Sequence, residues 1–280
     1  MRKIDLKLIE DTVAELLYDA CINLGKKELK LLEKAKLEEK SEIGKDIISQ
    51  ILENDYLACK LDLPLCQDTG QAVIFLEIGS KVYFEGDLEE AINKGVAKAC
   101  TEGYLRKSVV SNPLTRINTG DNTPAIIHTK IVPGDKIKIT AAPKGGGAEN
   151  CSALKMMIPA DGIDGIKKFV LETVEKAGGK PCPPILVGVG IGGNLEKAAM
   201  LAKEAIILRE VDDEAEGEAE RKLEKELLEA INNLGVGPMG LGGTKTALAI
   251  KVNTYPCHIA SLPVAVNLQC HAMRHKVKVI

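Results

Sequence analysis

Ile4, Leu6, Ile9, Val13, Leu16 and Leu17 recur at helical spacing and predict a first helix that Gly25 ends. Residues 26–38 predict a second, highly charged helix. Ser41 predicts the cap of a third, running to about Leu57 along Ile43, Ile47, Ile48, Ile51 and Leu52. The pattern breaks at Pro64. A nearly unbroken apolar run over 72–78 then predicts a strand, with residues 81–85 as its partner across Gly79 and Ser80. Asp87, followed by Glu89 and Glu90, predicts the start of another helix. Residues 106–123 form a long polar stretch of the kind that is usually functional or mobile. Around Pro133-Gly134-Asp135, residues 125–131 and 136–140 alternate and predict a hairpin. Beyond it the chain predicts a helix over 162–177, a buried strand from Pro184, a helix from Asn194, and strands over 245–252 and 258–266. The charged segment 209–229 reads as a solvated helix face. Helices and strands interleave from residue 70 onward. The expected class is therefore α/β: a single mixed αβ domain over 1–280, with a helical N-terminal portion (1–60) and a mixed sheet in 61–280.

Composition narrows the function classes. Hydrophobic residues are 45% and charged residues 28%, which excludes a disordered chain. No apolar run approaches the ~20 residues of a membrane span, and the opening residues do not form a signal peptide. The expectation is a cytoplasmic protein with no membrane partner. A net charge of −3 makes no case for nucleic acid. Eight cysteines in a reducing compartment serve packing, catalysis or metal rather than disulfides.

No two cysteines show the C-x-x-C spacing of zinc or redox sites. Cys21, Cys59 and Cys100 fall in helical patterns and read as small buried hydrophobes. Cys66 and Cys182 sit in proline-bracketed turns, and Cys270 lies just past an apolar strand; rigid positions of this kind suit thiolate metal ligands. Cys257, which also follows a proline, and Cys151, beside a glycine run, compete with them. Three well-separated thiolates suit an iron–sulfur cluster that keeps one iron open as a Lewis acid. Gln67 and Asp68 share the Cys66 turn, and Arg106 offers a two-pronged carboxylate clamp. Lys144-Gly145-Gly146-Gly147 offers unobstructed backbone N–H groups to an anion. Gly188, Gly190 and Gly193 fit the dinucleotide fingerprint locally, with close strand–helix packing as the alternative.

Cys66-Gln67-Asp68-Thr69-Gly70, Tyr104-Leu105-Arg106 with Ser108, Asn118-Thr119-Gly120 with Asn122 and Pro124, Lys144-Gly145-Gly146-Gly147, Cys182-Pro183-Pro184 and Gly192-Gly193 occur in this order. On these motifs the chain resembles the α subunit of class I, iron–sulfur-dependent fumarate hydratase, and equally the related L-tartrate dehydratase α subunit. The resemblance implies an oxygen-sensitive 4Fe–4S cluster held by Cys66, Cys182 and Cys270. It also implies a small dicarboxylate substrate contacted by Gln67, Asp68, Arg106 and Gly146, with Asp68 and Arg106 catalytic. Against single-chain members, which carry a further domain, the expectation is that this chain does without it. The resemblance therefore implies a separate β subunit supplying a catalytic Thr, and a homodimer within an α2β2 assembly. The implied reaction is reversible hydration of fumarate to (S)-malate, preferred over L-tartrate because fumarate is a central metabolite. Cys151 departs from the single-chain pattern. Two readings of other classes stand beside this one: an NAD-linked oxidoreductase using Gly188, Gly190 and Gly193, and a non-catalytic subunit whose thiols hold structural zinc.

Overall fold

The computed structural model describes residues 1–280. In chain order the elements are β1 (Arg2–Lys3), α1 (Leu6–Ile22), α2 (Lys26–Glu38), α3 (Glu42–Leu61), β2 (Gln71–Gly79), β3 (Val82–Tyr83), α4 (Leu88–Glu102), β4 (Ile126–Val132), β5 (Ile137–Lys144), α5 (Gly146–Glu149), β6 (Ala153–Met157), α6 (Gly162–Ala177), β7 (Ile185–Gly192), α7 (Leu195–Ile207), α8 (Glu218–Asn232), β8 (Ala247–Tyr255), β9 (Leu262–Gln269) and β10 (Lys276–Val279). The class is mixed α/β. No helix is long and apolar enough to cross a membrane. Side-chain caps set several helix starts: Asp5 accepts from Lys7 N–H, Asp87 from Glu90 N–H and Asn194 from Lys197 N–H.

The chain forms two compact units, Met1–Gly25 with Asp55–Gly146 and Arg274–Ile280, and Lys26–Asn54 with Gly147–Met273. In the first unit a four-stranded sheet has the order β10-β5-β2-β4, with β2 parallel to β4 and antiparallel to β5. Its core joins Ile9, Val13 and Leu17 of α1 and Ile92 and Val96 of α4 to Ile74 and Leu76 of β2. The predicted hairpin over 125–140 does not form, because β2 lies between its two arms. The end of β2 fits into the arch at Pro133-Gly134-Asp135: Gly79 N–H donates to Lys136 and Lys81 N–H to Gly134. Only glycine fits at 79, since a Cβ there would lie 2.6 Å from the Gly134 carbonyl oxygen. A strand as apolar as β2 gains most from a central position, and that outweighs the local turn signal. Residues 82–83 likewise pair in parallel with β1 rather than with β2.

In the second unit the sheet order is β6-β9-β7-β8, with β7 parallel to β8 and antiparallel to β9. Successive strand residues face opposite sides, and β7 shows why its sequence alternates. Val187 and Val189 join the core formed with Val170, Val174, Leu223, Leu227 and Ile231. Gly188 and Gly190 face α7, where a Cβ would lie 2.2 Å from the Ala202 oxygen and 2.1 Å from the Ala198 oxygen. These two glycines sit in mid-strand beneath a helix and serve close packing; they form no phosphate-binding turn. The charged segment 209–229 also differs from a solvated helix. Only Glu218 onward is helical, and the buried Glu224 accepts from Arg209 at 2.6 Å and from Val252 N–H at 2.8 Å.

Candidate active site

Strand register brings the first unit's candidate residues to one edge of its sheet. Gln71 at the start of β2 pairs with Lys144 at the end of β5, so the 66–70 turn lies beside the glycine run. Lys276 at the start of β10 pairs with Ala141, which puts Arg274 near the same end of β5. The Asp68 carboxylate is gripped there at both oxygens: Oδ1 accepts from Gly70 N–H and Oδ2 from Gly146 N–H, each at 2.9 Å. The Asp68 carbonyl accepts from Nη1 of the buried Arg274 at 2.8 Å. Gly70 makes this close approach possible: its φ is +73°, and a Cβ would lie 2.3 Å from the Lys144 carbonyl oxygen.

The polar stretch 106–123 is tied to this turn. Asn122, fully buried, accepts from Ser108 and Val109 N–H and donates to the Gly70 carbonyl at 3.1 Å. The stretch is ordered locally by side-chain turns at Asn112, Asn118 and Asp121. Thr123, through N–H and hydroxyl, holds the Asp121 carboxyl below its usual range. Arg106, Gln67 and Cys66 are exposed and Asp68 is half-buried. Gly146 is exposed, and its N–H points at Asp68 Oδ2.

In the second unit the same logic gathers cysteines. Leu186 of β7 pairs with Gln269 of β9, and Ala153 of β6 with Val266, so Cys182, Cys270 and Cys151 all lie at one edge of that sheet. His271 N–H and Nδ1 approach the Cys182 carbonyl at 3.4 and 3.0 Å. Cys182 itself holds a left-handed backbone, φ +56°, which a non-glycine residue adopts at a cost of ~1–3 kcal/mol and mostly at functional sites. Cys257 belongs elsewhere. It lies between the end of β8 and the start of β9, at the opposite edge, about 26 Å away along an eight-residue strand. The remaining thiols divide. Cys21 and Cys100 are buried, and burial pushes Cys21 up to about 12, with the Arg274 charge opposing it. Cys59, expected to be buried, is exposed on α3.

The candidate ligands thus fall one in the first unit, Cys66, and two in the second, Cys182 and Cys270. Within neither unit do three His, Cys, Asp or Glu side chains form a ready metal site. The chemistry of the donors nevertheless fits a thiolate-held cluster. The Cys66 sulfur accepts from Asp68 N–H and the Cys270 sulfur from Gln269 Nε2, each at 3.4 Å, and such bonds stabilise charged sulfur.

A family model described as fumarate hydratase (Fumerase) matches residues 10–279. The chain belongs to this family. Its members are hydro-lyases, which add water across a carbon–carbon double bond or remove it. A Methanocaldococcus jannaschii protein provisionally named L(+)-tartrate dehydratase subunit alpha is 48% identical over 277 residues, 96% of each chain. The L(+)-tartrate dehydratase subunit alpha of Escherichia coli (strain K12) is 33% identical over 247 residues, 87% of this chain and 81% of the relative. Sequence reasoning missed one residue at the site, Arg274. No motif marks it; its only signal is a charge standing just before a strand that completes the sheet.

Proposed function

We propose that this chain is the α subunit of a hydro-lyase that adds water reversibly across fumarate to give (S)-malate, working with a separate β subunit. The observation that carries the reading is the Asp68 carboxylate, fixed at both oxygens by backbone N–H groups in a turn that also bears an exposed thiol and an exposed amide. Family membership supports the reaction class. The names of the relatives favour a second reading, dehydration of L-tartrate, and as "subunit alpha" they support a β partner. Both substrates are four-carbon dicarboxylates that exchange a hydroxyl on one carbon and a proton on its neighbour, so the same side chains serve either.

Cys66, Cys182 and Cys270 would hold a 4Fe–4S cluster. Bound there, a cluster with one iron free of protein ligands supplies Lewis acidity toward a hydroxyl and a carboxylate. The side chains supply orientation and proton handling. Arg106 binds a substrate carboxylate through its planar fork, and a clamped diacid gains much of its rate from orientation. Gln67 adds an amide donor on the same turn. Asp68, each oxygen retaining an acceptor position beyond its N–H bond, takes a proton from the incoming water or returns one to the departing hydroxyl. Gly146, without a side chain, lets the substrate come close to that carboxylate. The carbon-bound proton is left to the β subunit's Thr, so the α chain alone is nearly inactive.

The test is anaerobic co-expression with a β partner and assay against both substrates. Hydration of fumarate, with brown colour and equal iron and sulfide, is expected. Zinc without sulfide would point to a structural subunit. Turnover that requires a nicotinamide would replace the reading with an oxidoreductase, and full activity of the α chain alone would refute the split site.

A further inference from the structure

Arg274 is among the few buried charged side chains, 4% exposed, and its environment is unusual. Nη1 donates to the Asp68 carbonyl, but Nε has no hydrogen-bond partner and the guanidinium makes no ion pair with a carboxylate. A buried cation with no carboxylate in ion-pair contact and an unbonded N–H is costly. Packing alone therefore does not account for an arginine here. Its neighbours do. A Cβ on Gly145 would lie 3.6 Å from Arg274 Nη2 and 3.3 Å from Asp68 Oδ2, so the guanidinium and the carboxylate flank the same α-carbon.

We infer that Arg274 is a positioning residue: it holds the main chain of Asp68 from behind and so aims the carboxylate at the reacting hydroxyl. The inference rests on the hydro-lyase reading above for what Asp68 does, though not for how it is held. Two hydrogen bonds reach the Asp68 carboxylate, from its own turn (Gly70) and from the start of α5 (Gly146), and two involve its main chain, the N–H donating to the Cys66 sulfur within the turn and the carbonyl accepting from the segment before β10 (Arg274). Arg274 alone ties the Asp68 main chain to a segment outside the turn; without it the Asp68 peptide is held only from within the turn and can shift, and an error of about 1 Å in a reacting group can cost ~10²-fold in rate. The charge also strengthens the bond to the carbonyl, because charge-assisted hydrogen bonds are about twice as strong as neutral ones.

The experiment uses the full-length chain with its β partner and two variants, Arg274→Met and Arg274→Lys. Amide exchange at Gly70 and Gly146 is followed by NMR on the full-length chain, and kcat and KM on the complex. In Arg274→Met both amides are expected to exchange about tenfold faster or more at an unchanged unfolding midpoint, with kcat down ~10²-fold and KM nearly constant. Arg274→Lys, which keeps the charge and loses the fork, is expected to fall between. If Arg274→Met does not fold, Arg274→Lys carries the test, with faster exchange and a roughly tenfold lower kcat expected. Wild-type exchange at both amides in a folded variant would overturn the inference, as would a loss confined to KM. If the wild-type complex acts on neither diacid, the functional reading fails, and the exchange data still decide whether Arg274 holds Asp68.

Discussion

Asp68→Asn separates the structural work of this side chain from its chemistry. The carboxylate accepts two backbone N–H bonds, from Gly70 and Gly146. An asparagine amide has one acceptor oxygen, so it serves one of them and turns an NH2 toward the other. Gly70 is buried and Gly146 exposed, so the variant keeps the Gly70 bond and leaves Gly146 N–H to water. The stability cost is one charge-assisted bond lost to solvent and another weakened to a neutral one, about 1–2 kcal/mol. Asp68→Ala orphans the buried Gly70 N–H as well and costs ~1–3 kcal/mol more. Activity behaves differently. A residue in proton transfer contributes ~10²–10⁴-fold, so Asp68→Asn is expected to lose at least about 10² in kcat although it loses little stability. Urea unfolding gives the first quantity, and loss of fumarate absorbance by the α–β complex gives the second. A folded Asp68→Asn complex with wild-type kcat would remove Asp68 from the chemistry. Equal stability of wild type, Asp68→Asn and Asp68→Ala would refute the hydrogen-bond reasoning itself.

Three further outcomes follow from the geometry. Cys66→Ser should lose the visible absorbance, the iron and the activity, whereas Cys257→Ser, at the opposite edge of its sheet, should keep all three; an active, iron-free Cys66→Ser would rule the cluster out. Gly190→Ala puts a Cβ 2.1 Å from the Ala198 oxygen and should destabilise the chain by at least ~1–3 kcal/mol in denaturant titration, with no nicotinamide binding in wild type or variant. Burial draws the Glu39 carboxyl upward, but hydrogen bonds from Ser41, Thr244 and Lys245 outweigh it and hold it below the ordinary range. Its stabilisation is therefore complete above the unfolded-state value of about 4.3 and is lost as the pH falls through the lower folded value. Glu39→Gln should flatten unfolding midpoints in that acid range, and an unchanged pH profile would contradict the assignment.

Much of the molecule was legible because helices are encoded locally. The second helix and the one over 162–177 end where their patterns do. The caps at Asp87 and Asn194 are visible as single residues, because each satisfies an N–H group three positions along the chain. The motifs around Cys66, Arg106, Lys144 and Cys182 were visible for the same reason: a turn that must hold one side chain needs particular neighbours beside it. Tertiary structure alone decided which strands pair. An alternating pattern states that one face is apolar but not which strand covers its edge, and so the arms of the 125–140 segment parted to admit β2. That choice places Lys144 beside Gln71 and delivers Arg274 to the back of Asp68. In the second sheet a separate pairing, β7 with β8 and β9, leaves Cys257 at the far edge from Cys182 and Cys270. Local composition fixes which groups are present; the register of strands distant in sequence determines which of them meet, because pairing energy is realised only once the chain has closed on itself.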